Sequence, residues 1–320
     1  MREPTLDLVA PASAHDEQDQ AHAQVVEGKD LRLYKFGNQR SHRISYLHCN
    51  LQGVDFSNKV FDHVGFSHCD LRNSTWHNTS LQHVQLNDCD LRASRWEELT
   101  ATRLTVQNCL WDAACWKNLQ LQNCNLADTD LRGLKLHNLR GRNLLFSDAQ
   151  LQGLDWSTAQ LSHCGFMQAQ MQASVLRGAQ FEYVSFSAVN LQGADLRDAK
   201  LSSCGFYRAN LSGVRAQGAN FRRVMLAEAM LESIDARGAC LAQACLQSAN
   251  LEGANLEGAD LRQASLRHAY LERARLLGAQ LYEADIHGAK NLPTDGDWSQ
   301  CQTIDHQLLC AEQYQPQRKP

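Results

Sequence analysis

The chain has 320 residues, 43% of them hydrophobic, with 31 Lys and Arg, 35 Asp and Glu, and a formal net charge of -4. No run of 18 apolar residues occurs, which excludes a membrane-spanning helix, and the first residues lack the basic segment and apolar core of a secretory signal. Residues 1 to 28 carry six acids and one base, whereas residues 29 to 290 carry 25 acids and 28 bases, a balance that excludes both a polyanion and a strongly basic nucleic-acid binder.

In chain order, residues 1 to 28 are polar and rich in Asp, Gln, His and Ala. Met1 to Ala14 reads as disordered. Asp16 to Glu27 can form a short helix, with Val25 and Val26 packing on whatever follows and covering an open edge.

From Leu31 to Ile286 every fifth residue is large and apolar. Of the 52 positions whose numbers end in 1 or 6, 47 hold Leu, Ile, Val, Met, Phe, Trp or Tyr; the exceptions are Ser41, Ala101, Gly141, Ala216 and Ala236. A period of five is neither that of a helix nor that of a strand, so it marks a repeat. Two residues before each centre is a small slot, which is Ala in 19 of the 28 cases between Leu154 and Ala289. The residue between is often Asp or Asn, and the last two positions of a unit are polar or Gly. The clearest stretch runs from Ala249-Asn250-Leu251-Glu252-Gly253 to Ala259-Asp260-Leu261.

This A(D/N)LxG pattern resembles the pentapeptide-repeat family over residues 29 to 290. The resemblance implies an all-β fold, a right-handed four-sided parallel β-helix of about 13 coils, with the centre and the small residue inward. The residues agree with that expectation. Two inward positions in five give a narrow core, and Asn, Asp and Gly suit a turn at every corner. Stacking at about 4.8 Å makes a rod about 62 Å long.

With 20 residues per coil, positions 20 apart lie above one another. Phe56, Trp76, Trp96, Trp116 and Trp156 form one inner column, broken by Leu136; Phe146, Phe166, Phe186 and Phe206 form another. Seven of the 12 Cys (49, 69, 89, 109, 124, 164 and 204) fill small slots, as free core thiols do, which suits a reduced, cytoplasmic setting. Before about residue 155 the slot is often larger, and Lys59 in it predicts a bulge or flipped turn around Ser57 to Phe61.

Beyond the array, residues 291 to 320 start with a turn at Asn291 to Trp298. Thr303 to Tyr314 then reads as a short helix with Ile304, Leu308 and Leu309 on one face. That helix is expected to cap the last coil. By the family resemblance it serves as a homodimer contact, so the chain is a monomer or a C-terminal dimer.

Motifs for catalysis are lacking: there is no Gly-rich phosphate loop and no nucleophile elbow. No catalytic residue, metal site or cofactor is expected. His48 and His68 should face out while Cys49 and Cys69 face in. His63 and His83 should stack with no carboxylate beside them, and Cys301, His306 and Cys310 lack ligand spacing.

Function is therefore sought on the outward columns. The residue after each centre gives a stripe from basic to acidic: Arg32, Arg72, Arg92 and Arg132 at one end and Glu232, Glu252 and Glu272 at the other. Met225, Met230, Cys240 and Cys245 put apolar groups in a slot that is usually polar. Both features suggest protein partners, with no direct nucleic-acid binding. The expected function is a non-catalytic bacterial scaffold or adaptor. Two alternatives come from the family resemblance. One is an effector or secretion-system accessory that leaves the cell without a signal peptide. The other is a DNA mimic protecting gyrase, which the array's balance of +3 does not favour.

Overall fold

A computed structural model of the chain describes residues 24–37 and 40–301. Among the described residues all regular structure is β, in 17 short strands that pair only in parallel. Each residue pairs with one 20 positions away: Trp76 with Trp96, Leu121 with Gly141, Leu161 with Phe181. Five residues make one wall, and four walls make one coil.

The walls differ in regularity. One carries five strands centred on Val26, Tyr46, Phe66, Leu86 and Val106. The opposite wall carries four, from Thr75–His77 to Lys135–His137, and a wall between them carries eight, from Ser41–His42 to Gln180–Glu182. The remaining wall is a column of 13 single parallel bridges from Asp30↔Asn50 to Tyr270↔Lys290.

Corner chemistry explains the repeat. The second residue after nearly every centre has positive φ, as at His63 (54°), Ala93 (58°) and Gly193 (67°); Leu33 and Thr158 are exceptions. Gly adopts that conformation freely, and Asn, Asp and His tolerate it better than other residues do. The small slot then selects the form of the wall. Where it is Ala, its N–H donates to the preceding centre's carbonyl, as Ala149 does to Phe146 at 3.2 Å, and the corner closes as a tight turn. None of the 17 strands is followed by Ala in that slot. Leu99, Leu119, Leu139, Cys69 and Cys89 stand there instead, and the wall stays extended. Val54 and Leu134 accept the tight form.

Inside, the columns are filled as expected. Phe56, Trp76 and Trp96 stack at 4.3 and 5.0 Å, and Phe146, Phe166, Phe186 and Phe206 stack at 4.8, 5.1 and 4.7 Å. Offset and tilted contacts of this kind suit the ring quadrupole. All seven slot thiols are buried and donate to the carbonyl of the centre 23 residues earlier, as Cys69 does to Tyr46 and Cys89 to Phe66, both at 3.3 Å. They are core residues that also tie adjacent coils. An enclosed space beside Ala236 holds only about 10 Å³, too little for a ligand.

Three expectations are corrected. Gln24–Glu27 is a strand paired with Ile44–Leu47, not the end of a helix; Val26 is buried but Val25 is exposed. The reason is that Val26 already stands in the five-residue frame. No bulge forms at Lys59. Its N–H donates to Phe56 at 3.3 Å and its carbonyl accepts from Ser80 at 2.9 Å, as elsewhere in the ladder. The long side chain is only half-buried, so its ammonium reaches the surface beside Asp55. Met225, Met230 and Cys245 do not make one exposed patch. Met225 bridges to Cys245 on one wall, where Cys245 is buried, while exposed Met230 lies on the next wall between Asn210 and Asn250. Consecutive units turn a corner, so neighbours in sequence face different ways.

At the far end the chain folds back on the last coil. Asp295 accepts the Leu276 N–H at 3.0 Å, the Trp298 indole donates to Pro293 at 3.0 Å, and Glu283 N–H donates to Gln300 at 3.1 Å. Ile304, Leu308, Leu309 and the helix assigned to them lie outside the described residues, as do His306 and Cys310.

Candidate functional site

The basic end of the stripe is not a row of free cations. In the sequence Asp-Leu-Arg both polar residues face out, two apart on the same wall. Arg32, Arg72, Arg92 and Arg132 each lie back across their own centre onto Asp30, Asp70, Asp90 and Asp130, with Nη2 to Oδ2 at 2.6 Å. The Asp also accepts the Arg backbone N–H, at 3.1 to 3.3 Å. The Arg72 hydrogen bonds hold the Asp70 carboxyl below its usual range against the opposing effect of burial. The same clamp recurs at Asp195–Arg197, Asp235–Arg237 and Asp260–Arg262 on other walls. At the acidic end, Glu232 accepts from the Ser212 hydroxyl and the Asn250 amide, both at 2.7 Å, and Glu272 accepts from the Tyr270 hydroxyl. Glu252 lies half-buried between them.

Three cations outside such clamps, Arg140, Arg142 and Lys200, stand on the eight-stranded wall. There Ala101 and Gly141 replace large centres, and the outward rows on either side of the centre column enclose an open trough of about 750 Å³. Its rows carry Gln120, Gln160, Gln180 and Thr100 on one side and Gln122, Ser162 and Thr102 on the other. Arg140 and Arg142 flank Gly141, and Lys200 and Glu182 stand at one end. Arg140 and Arg142 have no Asp two residues away, Asp198 beside Lys200 turns to Arg177, and none of the three cations makes an ion pair with a described residue. The trough and the stripe lie on opposite walls.

A third cluster lies near the start of the same wall. Asp62, at the end of the strand Val60–Asp62, is buried although its position normally faces solvent. His42 Nδ1 lies 2.9 Å from its Oδ2, and His63 Nδ1 lies 2.8 Å from its Oδ1. His83 Nδ1 is 3.7 Å from Oδ1, and Arg40 donates to Oδ2 at 2.5 Å. Burial pushes the Asp62 carboxyl up, but the His63 and Arg40 hydrogen bonds outweigh it and hold the group below the ordinary range. Sequence reasoning paired His63 with His83, which do stack at 4.2 Å. It missed Asp62 and His42 because it compared columns singly. Adding 20 to His42 gives Asp62, the neighbour of His63, and that was the available signal.

Four walls, a 20-residue register and an inward centre in every unit define a parallel β-solenoid. A family model described as pentapeptide repeat region matches residues 40–116, and one described as pentapeptide repeats (8 copies) matches residues 164–202, 204–243, 244–276 and 259–290. The chain belongs to the pentapeptide-repeat family.

Among solved structures, HetL, a pentapeptide repeat protein involved in heterocyst differentiation regulation from the cyanobacterium Nostoc sp. strain PCC 7120, is 24% identical, with 76% of this chain and 86% of that one covered and a TM-score of 0.35. Rfr23 from the cyanobacterium Cyanothece 51142 is 36% identical over 32% of this chain and 61% of its own, with a TM-score of 0.26. Full-length QnrB1, a plasmid-mediated fluoroquinolone resistance protein, is 16% identical over 79% of this chain and 93% of its own, with a TM-score of 0.19. No curated protein matches the sequence.

Proposed function

We propose that the protein is a non-catalytic docking scaffold whose trough receives an extended, acidic segment of a partner protein. The observation that carries this reading is the contrast between cations: the Arg of the stripe are clamped by their own Asp, whereas Arg140, Arg142 and Lys200 are not. Five coil steps from Thr100 to the level of Lys200 span about 24 Å, the length of about seven extended residues. Gln, Ser and Thr along both rows supply donors and acceptors for a peptide backbone. The stripe from Arg32, Arg72, Arg92 and Arg132 to Glu232, Glu252 and Glu272, with Met230 beside it, offers a second contact face on the opposite wall. Met225 and Cys245 contribute little surface.

The test is affinity capture from the native cell with wild type, Arg140→Glu/Arg142→Glu, and Arg72→Glu/Arg92→Glu/Arg132→Glu side by side. The trough variant should lose the partner that wild type recovers, and the partner's acidic peptide should bind wild type with an affinity that falls as salt rises. Recovery unaffected by the trough variant removes this reading. Loss only with the triple variant transfers the site to the stripe.

A further inference from the structure

We infer that His42, Asp62 and His63 form a binding site for a divalent transition-metal ion of the zinc class, with His83 closing its fourth corner. The first argument is geometric. One ligand atom from each of His42, Asp62 and His63 lies within 4.8 Å of the others. Around zinc, bonds of about 2.0 to 2.2 Å at tetrahedral angles place ligand atoms about 3.3 Å apart. The distances from the imidazole nitrogens to the Asp62 oxygens, 2.9, 2.8 and 3.7 Å, bracket that edge.

The second argument is the state of the groups. Asp62 is buried, so its carboxyl is held in place away from solvent. The Nδ1 of His83 is buried and has no hydrogen-bond partner, a condition a bound ion relieves. Imidazole nitrogens with one carboxylate favour zinc-like ions over magnesium or calcium, which take oxygen ligands.

Two cations must give way. Arg40 leaves Asp62 Oδ2, and its side chain is 57% exposed and free to turn into solvent. Arg103 Nη1 lies 2.8 Å from His83 Nε2. When Nδ1 binds a metal, the proton of the neutral ring sits on Nε2, so Arg103 must swing away. Metal binding then ties three successive levels, 42, 62 to 63 and 83, at the edge strand Ser41–His42 of the eight-stranded wall. An unprotected strand edge invites foreign pairing, and a metal tie there holds it to the next coil.

Chelator-treated full-length protein should be titrated with Zn²⁺ by calorimetry and with Co²⁺ by visible absorption. One equivalent should bind, and the Co²⁺ spectrum should show tetrahedral d–d bands without a thiolate charge-transfer band. Asp62→Asn and His63→Gln should each weaken binding at least about 10-fold, with circular dichroism confirming that both variants keep the β fold. His48→Gln, in the neighbouring stacked pair His48–His68, should bind as wild type does. Absence of binding overturns the inference. So does a thiolate band, which places the metal on the cysteines, or equal affinity in Asp62→Asn and His63→Gln.

Discussion

Arg72 lies back across its own centre, Leu71, onto Asp70, with Nε 2.9 Å from Oδ1 and Nη2 2.6 Å from Oδ2. A local clamp of this kind recurs wherever Asp, a centre and Arg follow one another, so its titration should be visible in the stability of the whole rod.

Asp70, Asp130, Asp195, Asp235 and Asp260 all have depressed carboxyl pKa values, each caused first by the side-chain hydrogen bond from the Arg two residues later. A group depressed in the folded state stabilises above its unfolded value, near about 3.9, and that stability is lost as pH falls through the folded value. The melting temperature should therefore be flat from pH 7 to about 5 and fall below about pH 4. Replacing the five Asp by Asn should lower the neutral-pH melting temperature modestly, because an ion pair whose Arg reaches solvent is worth little, and should flatten the acid limb. An acid limb of unchanged steepness would refute the assignment.

Gly141 has no room for a methyl group. A Cβ there would lie 2.4 Å from Leu144 Cδ1 and 2.8 Å from Leu161 Cδ2. Gly141→Ala should cost about 1 to 3 kcal/mol by overpacking, measured by denaturant unfolding, and Leu144→Ala in the same chain should restore part of it. Equal stability of Gly141→Ala and wild type would contradict this packing.

Ala188 has a φ of 53°, a conformation that favours Gly. Ala188→Gly should be neutral or stabilising by up to about 1 kcal/mol, the reverse of its usual effect in extended backbone. Gly193→Ala, at φ 67° with nothing within 4 Å of its added Cβ, should be destabilising through strain alone. A melt in which both changes have the same sign would refute the corner assignment.

Burial pushes the Cys164 thiol up to about 11 and the Cys204 thiol up to about 12. Both should be silent to a thiol-specific disulfide reagent at pH 8 in the native state and react after denaturation, since only the thiolate attacks. Peptide mapping would identify labelled sites, and native labelling of either residue would contradict its place in the core.

The inward face was legible because a five-residue period fixes which side chains share an interior, and the aromatic and thiol columns follow by counting in twenties. The outward face was harder to read. The stripe was visible as residues, but the pairing of Arg72 with Asp70 depends on side chains lying back along one wall, which a count of columns does not reveal. The apolar residues Met225 and Met230 do not share a surface because they stand on either side of a corner. Asp62 was overlooked because outward positions are ordinarily wet; the ring of imidazoles around it is what excludes solvent. The trough needed the two outward rows of one wall read side by side, with Arg140 and Arg142 both beside Gly141.

The 20-residue register makes the rod a device with two separate adjustments. Adding or removing 20 residues between the N-terminal half and Glu232 changes length by one level, about 4.8 Å, and leaves every column in line. Adding or removing five rotates everything beyond the change by a quarter turn and carries Glu232, Glu252 and Glu272 to a different wall from Arg72 and Arg92. The distance between two docking faces and the angle between them can thus be varied independently, in steps set by the chain itself.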